Sequence, residues 1–171
     1  MIHLNIGSNL ESKFGSRFEN IKTAISLLIK DKLKINKISN FYKTPSYPNK
    51  RSPFFLNVGV TVDYNFSEIS LVKKIKMIEK KIGRIKSTKN APRVCDIDII
   101  DFNGLIIQNG TLKIPHKKAH LRNFVLFPIK EIDPEWVHPI FKKKAEFLIN
   151  KLDQKSRIEI TRLNKNVIIN P

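Results

Sequence analysis

VCDIDII, residues 94–100, sets two carboxylates inside an otherwise apolar run. Side chains of an extended strand point alternately to opposite faces. Cys95, Ile97 and Ile99 then share a face suited to packing on helices, and Asp96 and Asp98 share the other. An aspartate in such a strand loses hydration unless positive charge meets it. Two like charges two residues apart also repel, and each drifts towards protonation until a cation compensates. The preceding segment supplies positive charge: residues 70 to 93 hold nine Lys or Arg and one acid, Glu79.

The chain before this strand reads as alternating elements. MIHLNI alternates as a first strand, and GSNLESKFG reads as a polar loop in which Gly7-Ser8 is most simply a turn. Residues 16–31 place Phe18, Ile21, Ile25 and Leu28 at helical spacing, with Ser16 as cap. Leu33 to Thr44 reads as a second strand ending at Pro45, followed by the Pro-rich loop PSYPNKRSP. Phe55 to Tyr64 is a third strand, with Val58, Val60, Val62 and Tyr64 on one face. Residues 67–82 put Val72, Ile75, Ile78 and Ile82 on one helical stripe, with Ser67 as cap and Gly83 as stop. Residues 84–93 are a basic loop.

After the fourth strand, Asn103-Gly104 signals a turn. Short strands are expected near Leu105–Ile107 and Leu112–Ile114, helices near 117–131 and 142–152, and an edge strand at 157–163. The core order β-α-β-β-α-β, with a C-terminal extension, predicts an α+β, ferredoxin-like fold: an antiparallel sheet with two helices on one face. The extension is expected to cover part of the other face.

A length of 171 residues and an apolar content of 41% suit one folded domain spanning 1–171. A single cysteine, Cys95, excludes an intrachain disulfide and fits a reducing compartment, so a cytoplasmic location is expected. The N-terminus lacks the pattern of a signal peptide, and no apolar run is long enough to span a bilayer. A formal net charge of +17 favours anionic partners, although part of that excess can be compositional drift on solvated faces.

A bare Asp-x-Asp is most simply a salt-bridged pair. Its basic surroundings favour a second reading, because Mg²⁺ prefers carboxylate oxygens and keeps room for phosphate. Arginines beside it would take the remaining phosphate oxygens. No G-x-x-x-x-G-K-[ST] motif is present, which excludes a P-loop. An RNA-binding module would need aromatics in a stacking register. Phe55 could serve, but Asp96 and Asp98 would offer a polyanion the wrong sign. A nucleotidyltransferase would carry its Gly-Ser close upstream of the acids, whereas Gly7-Ser8 lies at the far end of the sequence.

Several segments form a recognisable series in order: IGSNL at 6–10, FYKTP at 41–45, FFLN at 54–57 and GR at 83–84. APRVCDIDII at 91–100, IPH at 114–116 and RNFVLFPIKEIDPE at 122–135 complete it. On these segments the chain resembles the 6-hydroxymethyl-7,8-dihydropterin pyrophosphokinases of folate biosynthesis. Their signature is Pro-Arg, two residues, then Asp-x-Asp and aliphatics. The resemblance implies transfer of pyrophosphate from ATP to the pterin hydroxymethyl oxygen, leaving AMP. It implies two Mg²⁺ ions held by Asp96 and Asp98, and a catalytic set of Arg84, Arg93, Asp96 and Asp98.

The resemblance also assigns Glu79, Arg84, Arg93, Ile99, His116 and Arg122 to the nucleotide. It assigns Thr44, Pro45, Tyr47, Phe55, Asn57 and Phe124 to the pterin, whose ring would lie between Phe55 and Phe124. On spacing alone those two aromatics read as core, and His116 ranks no higher than His3, His120 or His138. The chain departs from the family pattern in a loop one residue short between Gly83 and Pro92. It also departs at Asn90 for a common tryptophan, Thr111 for a common arginine, Lys86 for another, and Lys76 for a frequent glutamine. The expected partners are ATP and the pterin, with no nucleic acid and no membrane, and the expected state is a monomer.

Overall fold

A strand buried at every position must be covered on both faces, and Ile2–Ser8 (β1) is such a strand. The computed structural model, which describes residues 1–47, 51–85, 91–109 and 112–168, places β1 inside a sheet. It is followed by α1 (Arg17–Lys30), β2 (Lys34–Ile38), β3 (Tyr42–Thr44), β4 (Phe55–Asp63), α2 (Glu68–Ile82) and β5 (Asp96–Phe102). The extension comprises β6 (Ile107–Asn109), β7 (Leu112–Ile114), a 3-10 turn at Ala119–Leu121, α3 (Asn123–Ile132), α4 (Ala145–Lys151), α5 (Gln154–Ile158) and β8 (Thr161–Arg162). The sheet order is β5-β1-β4-β3-β8, with β2 also on β4, and the pairings are antiparallel. This is the expected ferredoxin-like arrangement, lengthened at one edge by β8.

One face of the sheet carries Ile2, Leu4 and Ile6 of β1, Leu56, Val58, Val60 and Val62 of β4, and Ile97 and Ile99 of β5. These pack with Ile21, Ala24, Ile25 and Leu28 of α1 and with Leu71, Ile75, Ile78 and Ile82 of α2. Cys95 joins them, as its alternation with Asp96 requires. Leu71 rather than Val72 takes the fully buried place on α2. Ser67 caps α2 by accepting from the Ser70 N–H, and Gly83 ends it at φ 114°, in the left-handed region that glycine tolerates. Ser16 makes no side-chain cap bond; its hydroxyl donates to Glu19 instead.

The opposite face is covered by α3. The contact is close because β4 has no side chain at Gly59: a Cβ there would lie 2.9 Å from Pro128 Cβ and 3.3 Å from Ile132 Cδ1. Behind α3 a second core gathers Ile100, Val125, Leu126, Ile129, Trp136, Ala145, Leu148 and Ile149. β5 supplies this layer through a bulge. Register passes from Leu4↔Ile99 to His3↔Asp101, so Ile100 is the extra residue. Asp101 then accepts from Trp136 Nε1 at 2.8 Å.

The element boundaries differ from expectation at several places. The strand expected over Leu33–Thr44 breaks at Ser39. The Ser39 N–H donates to Gly59 O and its Oγ accepts from the Gly59 N–H, both at 2.9 Å, so a hydroxyl replaces a ladder carbonyl. The helix expected over 117–131 is interrupted at Arg122, which is extended (φ −113°, ψ 111°). The 142–152 helix is shortened to α4, and the first short strand begins at Ile107. The expected strand over 157–163 begins as helix, because Asp153 caps α5 through the Ser156 N–H, and only Thr161–Arg162 pairs with β3. Gly7 and Ser8 lie in β1, not in a turn.

Candidate active site

At one end of the central strands, a row of residues faces away from the helical layer formed by α1 and α2. Gly7 is the register partner of Asp96 on β5 and of Asn57 on β4, and Asn5 is the partner of Asp98 and Gly59. The strand period therefore puts both carboxylates on one face, as the alternation predicts. The start of α3 brings Arg122 to this row, where it pairs with Asp98, and sets the Phe124 ring beside the Arg122 guanidinium.

Three arginines meet the acids. Arg84 Nη1 lies 2.6 Å from Asp96 Oδ1, and Arg93 Nη1 lies 2.8 Å from Asp96 Oδ2. Arg122 Nη1 lies 3.1 Å from Asp98 Oδ2. The left-handed turn at Gly83 delivers Arg84, which also pairs with Glu79. Glu79 is 8% exposed and accepts the Ile97 N–H at 2.8 Å, so one buried acid braces both the arginine and the acid-bearing strand. Burial pushes its carboxyl up to about 7. Burial, with the nearby Asp96 charge, pushes Asp98 up to about 6 despite the arginines. Burial and the Arg122 cation hold His116 down at about 4. Its Nδ1 accepts the Lys118 N–H at 3.2 Å, which leaves Nε2 for another partner.

On the other side of Gly7, Asn57 is buried and its Nδ2 donates to Thr44 Oγ1 at 3.3 Å. Its Oδ1 stays on the Gly7 side, where a Cβ on Gly7 would lie 2.9 Å from it. Phe55 is half-buried beside the same point, and Phe124 is half-buried with its ring centroid 5.3 Å from the Arg122 guanidinium carbon. Pro45 is exposed, and Tyr47 projects into solvent at 83% exposure, so Tyr47 forms no wall. The Ile99 side chain belongs to the helical core, on the far side of β5. It can meet a ligand only through its backbone, which the edge position of β5 leaves open on one side. Lys76 is exposed on α2. The departures at Lys86, Asn90 and Thr111 lie outside the described residues.

The donor set suits a hard divalent cation: two carboxylates on one face, each now balanced by arginine. Among the described residues no group of three or more His, Cys, Asp or Glu side chains is placed to hold a metal ion by itself. A cation here would therefore complete its shell with water and phosphate oxygens.

Sequence reasoning missed Gly7, Asn5 and Asn9. Gly7 was read as a turn, and its neighbours across the sheet follow only from the pairing. Asn5 is buried beside Asp98 with Oδ1 lacking a partner. The polar position in an alternating strand was the available signal. Asn9 stands in the quoted IGSNL segment but received no role.

A family model for 7,8-dihydro-6-hydroxymethylpterin-pyrophosphokinase matches residues 3–134. A 2-amino-4-hydroxy-6-hydroxymethyldihydropteridine pyrophosphokinase of Aquifex aeolicus is 34% identical over 142 residues, covering 83% of this chain and 86% of that protein. The folic acid synthesis protein FOL1 of Dictyostelium discoideum is 39% identical over 140 residues, covering 81% of this chain but 20% of that protein. The chain thus spans about a fifth of the length of this larger relative. The solved HPPK-DHPS of Plasmodium falciparum shares the fold, with a TM-score of 0.69 and 17% identity over 94% of this chain and 47% of that one. Among the described residues no helix is long and apolar enough to cross a membrane.

Proposed function

The chain belongs to the 7,8-dihydro-6-hydroxymethylpterin-pyrophosphokinase family, and we propose that it transfers the pyrophosphoryl group of ATP to the hydroxymethyl oxygen of 6-hydroxymethyl-7,8-dihydropterin. The observation that carries this reading is the single-faced pair Asp96 and Asp98 with Arg84, Arg93 and Arg122 each within 3.1 Å of it. Such a cluster matches the charge of a triphosphate bound through a divalent cation.

Asp96 and Asp98 would hold two Mg²⁺ ions, which when bound supply neutralisation of the triphosphate and acidify the pterin hydroxyl. Arg84 and Arg93 then turn from Asp96 to phosphate oxygens, where their planar forks follow charge as it moves to the leaving group. Glu79 keeps Arg84 at the site during that exchange. Arg122 and His116 Nε2 face the nucleotide from the extension, and the Ile99 backbone borders it.

Phe55 and Phe124 stack on the pterin ring. Thr44 fixes the Asn57 amide so that Oδ1 accepts a heterocycle N–H. Backbone groups at Thr44 and Pro45 line the same edge, and Tyr47 joins only if the ligand draws it in. The hydroxymethyl oxygen forms a bond to the β-phosphorus. The bond from that phosphorus to the α,β-bridging oxygen breaks, AMP keeps the electron pair, and the hydroxyl proton passes to solvent.

The family match ends at residue 134. Beyond it α4 packs behind α3, α5 accepts the Asn123 Nδ2 bond at Ser156 O, and β8 pairs with β3, so the reading assigns residues 1–171 to one catalytic domain. The test is product analysis with ATP, Mg²⁺ and the reduced pterin. AMP appearing only when the pterin is present supports the assignment, and ADP contradicts it.

A further inference from the structure

We propose that Asn9 is a positioning residue that sets the triphosphate-side Arg93 and the pterin-side residues Ser46 and Pro53 as one piece. The inference rests on the assignment of Arg93 to phosphate and of the Thr44–Asn57 region to the pterin. Asn9 is 1% exposed, and its side chain makes no bond within its own turn. That turn is already held by Asn20 of α1, whose Nδ2 donates to Leu10 O at 2.9 Å and to Ser8 Oγ at 3.4 Å.

Asn9 instead reaches two distant segments. Its Oδ1 accepts the Arg93 N–H at 2.7 Å, and its own N–H donates to Arg93 O at 3.1 Å. Its Nδ2 donates to Ser46 Oγ at 3.2 Å and to Pro53 O at 3.3 Å. Ser46 Oγ in turn donates to Pro53 O, tying the residues that follow Thr44 to those that precede Phe55. A carboxamide is planar, so acceptor and donors cannot move apart. Displacing Ser46 or Pro53 must turn the plane that holds the Arg93 backbone. The guanidinium on that backbone contacts Asp96 at 2.8 Å. The position of Ser46 and Pro53 is thereby transmitted to the arginine that handles charge in the reaction.

The test compares wild type with Asn9→Ala and Ser46→Ala. Three readouts are used: pterin affinity by calorimetry, kcat for AMP formation, and hydrogen exchange of the Arg93 amide by NMR. Asn9→Ala is expected to weaken pterin binding about tenfold and to lower kcat at saturating substrates about tenfold. Ser46→Ala, which does not touch Arg93, is expected to speed exchange of the Arg93 amide about fivefold. Arg93 exchange within about twofold of wild type in Ser46→Ala overturns the coupling. A fall in kcat for Asn9→Ala with unchanged pterin affinity also overturns it, because Asn9 then serves the Arg93 side alone or folded enzyme has been lost. If Asn9→Ala does not fold, Ser46→Ala decides. Wild-type protein that forms no AMP contradicts the assigned reaction, and the Arg93 exchange result then decides the coupling on its own.

Discussion

Asp96 and Asn57 face each other across Gly7, each its register partner from the strand on either side of β1. Two strand spacings separate them by about 10 Å. One belongs to the acid–arginine cluster and the other to the proposed pterin edge, and the residue between them has no side chain. A Cβ there would strike Asn57 Oδ1 at 2.9 Å. Gly7→Ala is therefore expected to raise the KM for the pterin about tenfold or more while changing the KM for ATP about threefold or less. Initial rates with each substrate varied in turn measure the difference.

Asp98 is an acid that the fold makes costly. Its carboxyl, pushed up to about 6, binds a proton more tightly in the folded chain than the ordinary value of 3.8 allows. Between those two values the folded state holds more protons than the unfolded one, so stability falls as pH rises and the full cost is present above pH 6. Asp98→Asn is expected to gain about 1–3 kcal/mol in metal-free unfolding at pH 7.5, with the gain vanishing near pH 4. The same variant, and Asp96→Ala, should lower kcat about a thousandfold. Denaturant titrations at several pH values, beside turnover assays, read both effects.

Gly59 sets how closely α3 approaches the sheet. Adding a methyl places it 2.9 Å from Pro128 Cβ and 3.2 Å from Pro128 C, and one of those atoms is backbone. Gly59→Ala is expected to destabilise the fold by about 2–3 kcal/mol. It should also reduce activity per folded molecule, because Arg122 and Phe124 move with α3. Thermal unfolding and active-fraction measurements check the two parts.

Acid should weaken the second core through His138. This ring is 1% exposed, and its Nδ1 accepts the N–H groups of Ile140 and Phe141 at 3.2 and 3.4 Å. Burial, with His120 nearby, holds it down at about 4. The unfolded chain takes up the proton near pH 6.5 while the folded chain refuses it until about 4, so stability is lost as pH falls through that window. His138→Asn, which keeps an acceptor, is expected to show a shallower loss. His3 and His116 are also lowered, so the slope should shrink rather than vanish. Unfolding midpoints from pH 7 to pH 4.5 measure it.

What could be read from the sequence was whatever repeats with a period. The two-residue period separated Asp96 and Asp98 from Cys95, Ile97 and Ile99, and the helical period found the buried stripes of α1 and α2. The Asn103-Gly104 signal also stands, with φ of 53° and 75°. What escaped depends on single side chains bonding to distant backbone. Ser39 interrupts an otherwise regular strand with its hydroxyl, Asp153 starts a helix inside an alternating segment, and Asn9 joins residues 37, 44 and 84 positions away. Arg122 was legible as a family residue, but its service to Asp98 depends on the helix break at that residue. Tyr47 was assigned by position in the chain, and only the fold reveals that its ring stands in solvent.

The most direct measurement uses ATP labelled in its β-phosphate, incubated with the reduced hydroxymethylpterin and Mg²⁺. The proposed attack at the β-phosphorus predicts that the label leaves the nucleotide and travels with the pterin while unlabelled AMP accumulates. Label retained in ADP, with a single phosphate on the pterin, would contradict the account.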